Sequence, residues 1–577
     1  MYLKKLEANK NSVRAEKFKT IEFDNAEINI ILGTVGHKDK KGKTVNGVGK
    51  TLSLKLIDFC LGAKLNTRDK LSKLEDWEFI LDVCIEDKNR SFKRSISDAN
   101  TVYIDNEDKK LKEFNTWLEN ELLDNLNTES MVSFRNVISR FLRLPKDGYI
   151  TWEKCKKKEQ DDVSLLSNSF VLGLNTDVIE NKIRIKEQLN DINKTRSIIK
   201  NDSSIKESLQ GIDVGINLTT LKKDIEKLEE KISKFKIAEG HEEIKKNIEI
   251  DKYKAQNLIN ERQLKKNMLS TINESLKVEI DVTYDKVKDL YEEANVVLSD
   301  MVQKQLQEVN NFHIQLLSNR KNRLKEDKKT LTSVIKKLDK EIEQVNNRIN
   351  SNLLLLKTGG SISELEVLQN ELLDKKIRLS GIEKHSTLLK DINSKILDYK
   401  SEMAQQNAKA SQYLNEIEDY VDNLSSQFKE FVDYIYEETR TAGISIENND
   451  KDNKIQFNIN PEIKDDESAG VNNVKIFCMD LLYLKLQKNN HIGFIYHDNS
   501  IFAETDVRQI YRMIKLAYDI CSENNLQYIV NLNYDMFNQI IEIAQEENSY
   551  FAEHLEKRVI LRLKDDSVDD KLLGEDI

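Results

Sequence analysis

Proline is nearly absent: only Pro145 and Pro461 occur in 577 residues. Aromatic residues are also scarce, at 7% against 33% charged. That balance fits long solvated helices better than a single compact enzyme. The five cysteines, Cys60, Cys84, Cys155, Cys478 and Cys521, are scattered without a Cys-x-x-Cys pair. They read as reduced thiols in a cytoplasmic protein rather than as a disulfide framework. No Cys and His cluster has metal-ligand spacing, which excludes a zinc hook. No nuclease or nucleophile triad is visible. No apolar run reaches about 18 residues and no signal peptide is evident, so neither a membrane span nor a membrane partner is expected. The net charge of −10 does not favour nucleic acid overall, although local basic patches can still bind it.

Residues 178–437 read as almost continuous helix. Apolar residues step by three and four at Leu221, Ile225, Leu228, Ile232 and Phe235, and again at Ile335, Leu338, Ile342, Val345 and Ile349. Leu365, Leu368, Leu372, Leu379 and Ile382 repeat the pattern. This is a coiled-coil seam with Lys and Glu at the other positions. Breaks are expected at residues 211–217, 239–241 and 359–360, and a helix of about 75 residues would span about 110 Å at roughly 1.5 Å per residue. The unequal segments between breaks leave the tip of the arm open. His241, beside Gly240, reads as a break. His313 and Arg320 share a helix face and read as solvated or arm-packing residues.

Mixed α/β patterns flank the coil. The first half predicts strands at 20–23, 28–32, 78–85 and 91–96, the last two a hairpin turning across 87–90. Helices are expected at 52–61, 111–126 and 132–144. The second half predicts strands at 444–446, 454–459, 492–496, 527–532 and 558–563, and helices at 474–486 and 506–522. The acidic tail, 564–577, is expected to be partly disordered.

One segment carries clear chemistry. Asn46-Gly47-Val48-Gly49-Lys50-Thr51-Leu52 follows an apolar strand and opens a helix, as a phosphate-binding loop does. Gly47 and Gly49 let the backbone approach phosphate oxygens, and the helix N-terminus faces the anion. Lys50 is expected to reach the β- and γ-phosphates of a nucleoside triphosphate, and Thr51 to sit on Mg²⁺. Thr44 stands where such loops usually begin with glycine, and residues 34–43 form an inserted basic loop. Two chain halves separated by a coil can complete one nucleotide site if the coil folds back on itself.

This layout resembles the ABC-type ATPase heads of SMC and double-strand-break repair ATPases, and more narrowly the YydD-like family of bacterial SMC-like ATPases. The loop with Leu56-Ile-Asp-Phe-Cys-Leu-Gly62 carries the match, together with the coil segment from Val309 to Arg320. So do Gly493-Phe-Ile-Tyr-His-Asp-Asn-Ser-Ile-Phe502 and the closing stretch from Leu563 to Gly574. The resemblance implies an α/β ABC-type ATPase head assembled from N- and C-terminal halves (1–176 and 438–577), with a long inserted antiparallel coiled coil (177–437).

The resemblance also implies a signature motif, for which Ser468 and Gly470 are the candidates; an ordinary helix N-cap explains the same residues. It implies an acidic Walker B pair after the strand at 492–496. In one register Asp498 takes the Mg²⁺ position and Asn499 replaces the catalytic glutamate. In the other, His497 takes the metal position and Asp498 the base position. The spacing to Glu504 favours the second register, and the hardness of Mg²⁺ the first. Either way hydrolysis is expected to be slow or to need a partner. Asn531 or Asn533 is the candidate switch residue, and Ser133 with Arg135 falls near the expected Q-loop. The implied machine is a homodimer closing head to head around two ATP·Mg²⁺, each site taking Lys50, Thr51 and Asp498 from one subunit and Ser468 from the other. It would grip double-stranded DNA through Lys38, Lys40, Lys41 and Lys43 or through Lys154, Lys156, Lys157 and Lys158, clusters that a solvated surface also explains. It would control separate effector and accessory subunits in anti-phage or anti-plasmid defence. A chromosome-maintenance or repair ATPase with a nuclease partner, and a nucleotide-regulated coiled-coil scaffold, are the alternative functions.

Overall fold

A computed structural model of the chain describes residues 1–25, 27–34, 48–66, 70–127, 129–145, 147–201, 214–233, 235, 242–277, 300–356, 362–464 and 468–575. For 214, 242–243, 277, 300–321, 355–356 and 362–364 it describes the backbone alone. Contacts divide the chain into two units. One comprises Met1–Glu187, Val297–Gln305 and Ser401–Ile577; the other comprises Gln188–Val296 and Leu306–Lys400.

The first unit begins with β1 (Tyr2–Lys10), β2 (Val13–Arg14), β3 (Ile21–Glu22), β4 (Glu27–Thr34) and α1 (Lys50–Cys60). The hairpin β5 (Trp77–Ile85) and β6 (Lys88–Ser95) follows, then β7 (Thr101–Ile104), β8 (Glu107–Lys110), α2 (Leu111–Leu122), α3 (Phe134–Val137) and α4 (Asp161–Val171). The coil contributes α5 (Thr176–Lys200), α6 (Val214–Ser233), α7 (Glu242–Lys277), α8 (Asp300–Leu356) and α9 (Ile362–Glu416). The chain closes with α10 (Glu418–Tyr436), β9 (Ala442–Asn448), β10 (Phe457–Ile463), α11 (Ala469–Leu486), β11 (Phe494–His497) and α12 (Val507–Asn524). β12 (Gln527–Asn533), α13 (Tyr534–Glu547), α14 (Ser549–Lys557) and β13 (Val559–Lys564) complete it.

Two larger sheets organise the first unit, and β9 and β10 form a separate antiparallel pair. The all-parallel sheet runs β11-β12-β4-β13. Its central strands are covered on both faces: six consecutive residues are buried in β4 and six in β12, mostly apolar, with Asn29, Gln527 and Asn531 the buried polar exceptions. Covered parallel strands require such runs. The second sheet, β2-β1-β5-β6-β7-β8 with β3 on β1, is antiparallel. Here β5 alternates strictly between buried and half-buried residues, the mark of one covered face. Helix α1 packs against β4 of the first sheet and β5 of the second, and Phe59 meets Phe79 edge-on at 6.5 Å.

The hairpin turn is tighter than expected. Ile85 pairs with Lys88, so Glu86 and Asp87 alone form the loop, both with positive φ. That suits the right-handed strand twist. The strand expected at 454–459 lies further on, through Pro461. The helix expected at 132–144 is a single turn at Phe134–Val137 followed by a 3-10 turn.

In the second unit the helices pair antiparallel. Arg348 meets Asp251 at 3.0 Å and Arg262 meets Asp339 at 3.1 Å, so the chain reverses between Arg262 and Asp339. Asp224 with Lys375 and Lys222 with Glu383 continue the pattern between α6 and α9. The expected seam is the buried face: Ile335, Leu338, Ile342, Val345 and Ile349 are all buried. The break expected at 211–217 is displaced, because α6 already begins at Val214. The breaks at 239–241, with His241, and at 359–360 lie outside the described residues, as do the side chains of His313 and Arg320. No helix among the described residues is long and apolar enough to cross a membrane.

Candidate functional site at the carboxyl ends of the parallel strands

In open parallel sheets, ligands bind beyond the carboxyl ends of the strands. Here the ends of β4, β11 and β12 meet the start of α1. Gly49 is the residue before that helix, with φ +107°, a left-handed conformation that glycine adopts freely. It supplies no side-chain cap, and the first turn of α1 carries no acidic residue. The positive end of the helix favours an anion here.

Three hydrogen bonds join the loop to the strand ends. Lys50 Nζ donates to Asn533 Oδ1 at 2.8 Å, and Thr51 Oγ1 donates to Asp498 Oδ1 at 3.0 Å. Asn531 Nδ2 donates to the Lys50 carbonyl at 3.0 Å. Asn531 also reaches Asp498 Oδ1 at 3.3 Å and accepts from the Tyr496 hydroxyl at 2.9 Å. Ser53 Oγ, 2.7 Å from that hydroxyl, closes the ring beneath the loop. Burial lowers the Lys50 ammonium to about 8, with Asp498 partly opposing the shift. Asp498 Oδ2 accepts from the Ser500 amide and hydroxyl, which fixes the carboxylate.

Strand alternation separates the two Walker B candidates. Asp498 and Tyr496 share the face toward α1. His497 points the other way and is fully buried. Its Nε2 lies 3.2 Å from Asp480 Oδ2 and its Nδ1 3.3 Å from the Tyr528 hydroxyl. Asp480 in turn holds Arg143 through two bonds, of 2.6 and 2.7 Å. The register that put His497 in the metal position is therefore not the one the strand adopts: His497 belongs to a core network. Asn499 begins the 3-10 turn after Asp498, and its Oδ1 is buried without a hydrogen-bond partner.

The remaining candidates fall in several places. Val48 is buried and Leu52 half-buried beside the loop. Asn46, Gly47, Thr44 and the inserted lysines Lys38, Lys40, Lys41 and Lys43 lie outside the described residues. Ser468 caps α11, accepting from the Val471 amide at 3.3 Å. Gly470 lies tight on the loop after β11, where an added Cβ would be 2.4 Å from the Glu504 carbonyl oxygen. That close approach explains the glycine locally. Glu504 itself is exposed with φ +57°.

Arg135 is not brought to the loop. It donates to the Leu61 carbonyl and to Asp58, at the opposite end of α1. Ser133 precedes α3 without a side-chain cap. Buried Arg94 also caps that far end of α1, donating to the carbonyls of Phe59 and Ala63. Burial lowers the Arg94 guanidinium to about 9. The two arginines offset the negative pole of a helix whose own last turn has no basic residue. Lys154 is paired with Asp161, while Lys156, Lys157 and Lys158 are exposed.

Residues 431–577 match a family model described as "Uncharacterised protein conserved in bacteria (DUF2326)". "Uncharacterized protein YydD" of Bacillus subtilis (strain 168) is 22% identical over 557 residues, covering 90% of this chain and 91% of that protein. The chain is YydD-like. Among solved structures, the Smc head domain with coiled coil and joint from Pyrococcus yayanosii aligns at 15% identity and TM-score 0.38, covering 93% of both chains. The Smc head with extended coiled coil bound to the C-terminal domain of ScpA, from Pyrococcus furiosus, aligns at 12% identity and TM-score 0.31, covering 93% of this chain and 91% of that one.

The tail, Ser53, Tyr496 and Arg143 were missed from sequence. Tyr496 and the tail lie in stretches that carry the resemblance, but nothing there marked their contacts with the loop.

Proposed function

We propose that this YydD-like chain is an ABC-type, SMC-like ATPase whose heads dimerise on ATP to clamp DNA and control a partner effector. The observation that carries the reading is the Thr51–Asp498 hydrogen bond beside Lys50. A hydroxyl and a carboxylate oxygen held together suit a hard divalent cation such as Mg²⁺, completed by phosphate oxygens and water. ATP and Mg²⁺ would supply the phosphoryl chemistry. Lys50 would exchange Asn533 for phosphate, and Thr51 and Asp498 would hold the cation. Ser468 would complete the site of a second copy.

ATP attracts two heads only when they are closed, so its binding shifts the population toward closure. The antiparallel coil supports a lever that carries this change to DNA or a partner. The resemblance to bacterial defence ATPases supports a sensor of foreign DNA. The test is duplex-DNA binding by the purified chain over a salt series, with and without ATP. ATP-dependent binding that weakens with salt and is lost in Lys50→Ala is expected. No binding under any condition would remove the DNA clamp.

Hydrolysis should be slow, because Asn499 stands where a carboxylate base would follow Asp498, and an amide cannot accept the proton. Asn499→Glu is expected to raise the rate of phosphate release on the order of 10²-fold, the lower range for a positioned general base. An unchanged rate would remove Asn499 from the base position.

A further inference from the structure

The acidic tail is not loose. After β13 the chain returns to the loop and is fastened there. The Leu572 amide donates to the Val48 carbonyl at 3.0 Å, and the Leu572 carbonyl accepts from the Lys19 amide at 2.8 Å. Leu572 and Leu573 are 1% and 2% exposed. A Cβ added to Gly49 would lie 2.5 Å from the Leu572 Cβ, so tail and loop fit closely.

Further bonds hold both ends of the segment. Thr34 Oγ1 donates to the Leu563 carbonyl at 3.1 Å, and the Asp565 amide donates to the Thr34 carbonyl at 3.3 Å. Beyond Leu573, Gly574 turns with φ +67° against Lys17. Glu575 accepts from the Trp77 indole at 2.8 Å and pairs with Lys10. The tail thus grips Thr34 and Val48, the two described residues that bracket 35–47.

We infer that residues 565–575 are a positioning element of the nucleotide loop, which raises nucleotide affinity by fixing the Val48–Gly49 peptide. The inference rests on the ATP reading above. A trans peptide is planar, with its carbonyl and N–H pointing in opposite directions. Holding the Val48 carbonyl on Leu572 therefore turns the Gly49 N–H away from the tail. Fixing a donor before the ligand arrives removes an ordering cost from binding. Linkage makes the effect reciprocal: bound nucleotide holds the tail as the tail holds the loop.

The test uses the full chain with a fluorescent ATP analogue and Mg²⁺, read as Kd, together with amide hydrogen exchange of the tail. Leu572→Asp is expected to weaken binding about tenfold, the scale of one net hydrogen bond. Leu572→Met keeps the contact and should bind like the wild type. In the wild type, nucleotide should slow exchange at Leu572; in Lys50→Ala it should not. An unchanged Kd in Leu572→Asp with only a lower melting temperature would make the tail merely structural and overturn the inference. Tighter binding would also overturn it, making the acidic tail a competitor of the anion. If Leu572→Asp does not fold, wild-type exchange at Leu572 decides. Absence of nucleotide binding by the wild type is a separate result, which removes the ATP reading itself.

Discussion

Arg143→Ala is expected to lower the free energy of unfolding by about 3–5 kcal/mol, the range for breaking a buried ion pair from one side. Both Arg143 and Asp480 are fully buried. The guanidinium makes two bonds to the carboxylate and also donates to the carbonyls of Gly148 and Trp152, each at 2.8 Å. Burial is the largest single influence and pulls the Arg143 guanidinium down, but the charge and hydrogen bonds of the facing Asp480 carboxylate, with Cys155 and Tyr483, together hold the group above its ordinary value. Truncation would leave Asp480 buried with only His497 and two carbonyls without their donor. The double variant Arg143→Met with Asp480→Leu removes both charges and should recover much of the loss. Urea denaturation of the three proteins checks this. A loss under about 1 kcal/mol in the single variant would mean that water reaches the site. The pair ties the segment before α4 to α11 and thence, through His497, to the strand that carries Asp498.

Lys50→Ala is expected to weaken Mg·ATP binding roughly 10–150-fold, the effect of losing a charged hydrogen-bond donor worth about 1.5–3 kcal/mol. The wild type should also show a specific pH dependence. In the free protein Lys50 titrates near 8, lowered chiefly by burial. Phosphate favours the charged ammonium, so binding raises that value. Affinity should be level below pH 8 and fall as pH rises through it, by up to about tenfold per unit, with uptake of a proton. Stability of the free protein runs the other way. The unfavourable burial of a charged Lys50 is fully present below about 8 and is relieved as pH rises from there toward the ordinary 10.5. Calorimetry in two buffers of different ionisation enthalpy reads the proton uptake. A flat profile from pH 7 to 9 would contradict the assignment of Lys50 to the phosphates.

Much of this was legible where one physical rule dominates. Residues 28–32 and 527–532 read as strands because doubly covered strands are predominantly apolar, interrupted here only by Asn29, Gln527 and Asn531. The coil seam read correctly because its periodicity is local. β1 (Tyr2–Lys10) was missed because its lysines mask an alternation that only its partner β5 makes clear. The tail was misread because composition reports average solvation, whereas two leucines and a glycine at the right place suffice to anchor it. The choice between His497 and Asp498 was beyond the sequence, since strand parity depends on what lies on each face. In the folded chain Asp498 meets Thr51 and His497 meets Asp480. Ser468 shows the limit: its capping bond is what any helix start would make.

The placement of β4 between β12 and β13 has a consequence for biosynthesis. β4 ends at Thr34, and its neighbour β12 begins at Gln527. At roughly 5–20 residues per second, about 25–100 s of translation separate the two. During that interval a mostly apolar strand has been synthesised without β12 and β13, the partners of both its edges. A nascent chain in this state invites aggregation. The helices of the second unit, whose contacts are largely within that unit, can pair meanwhile.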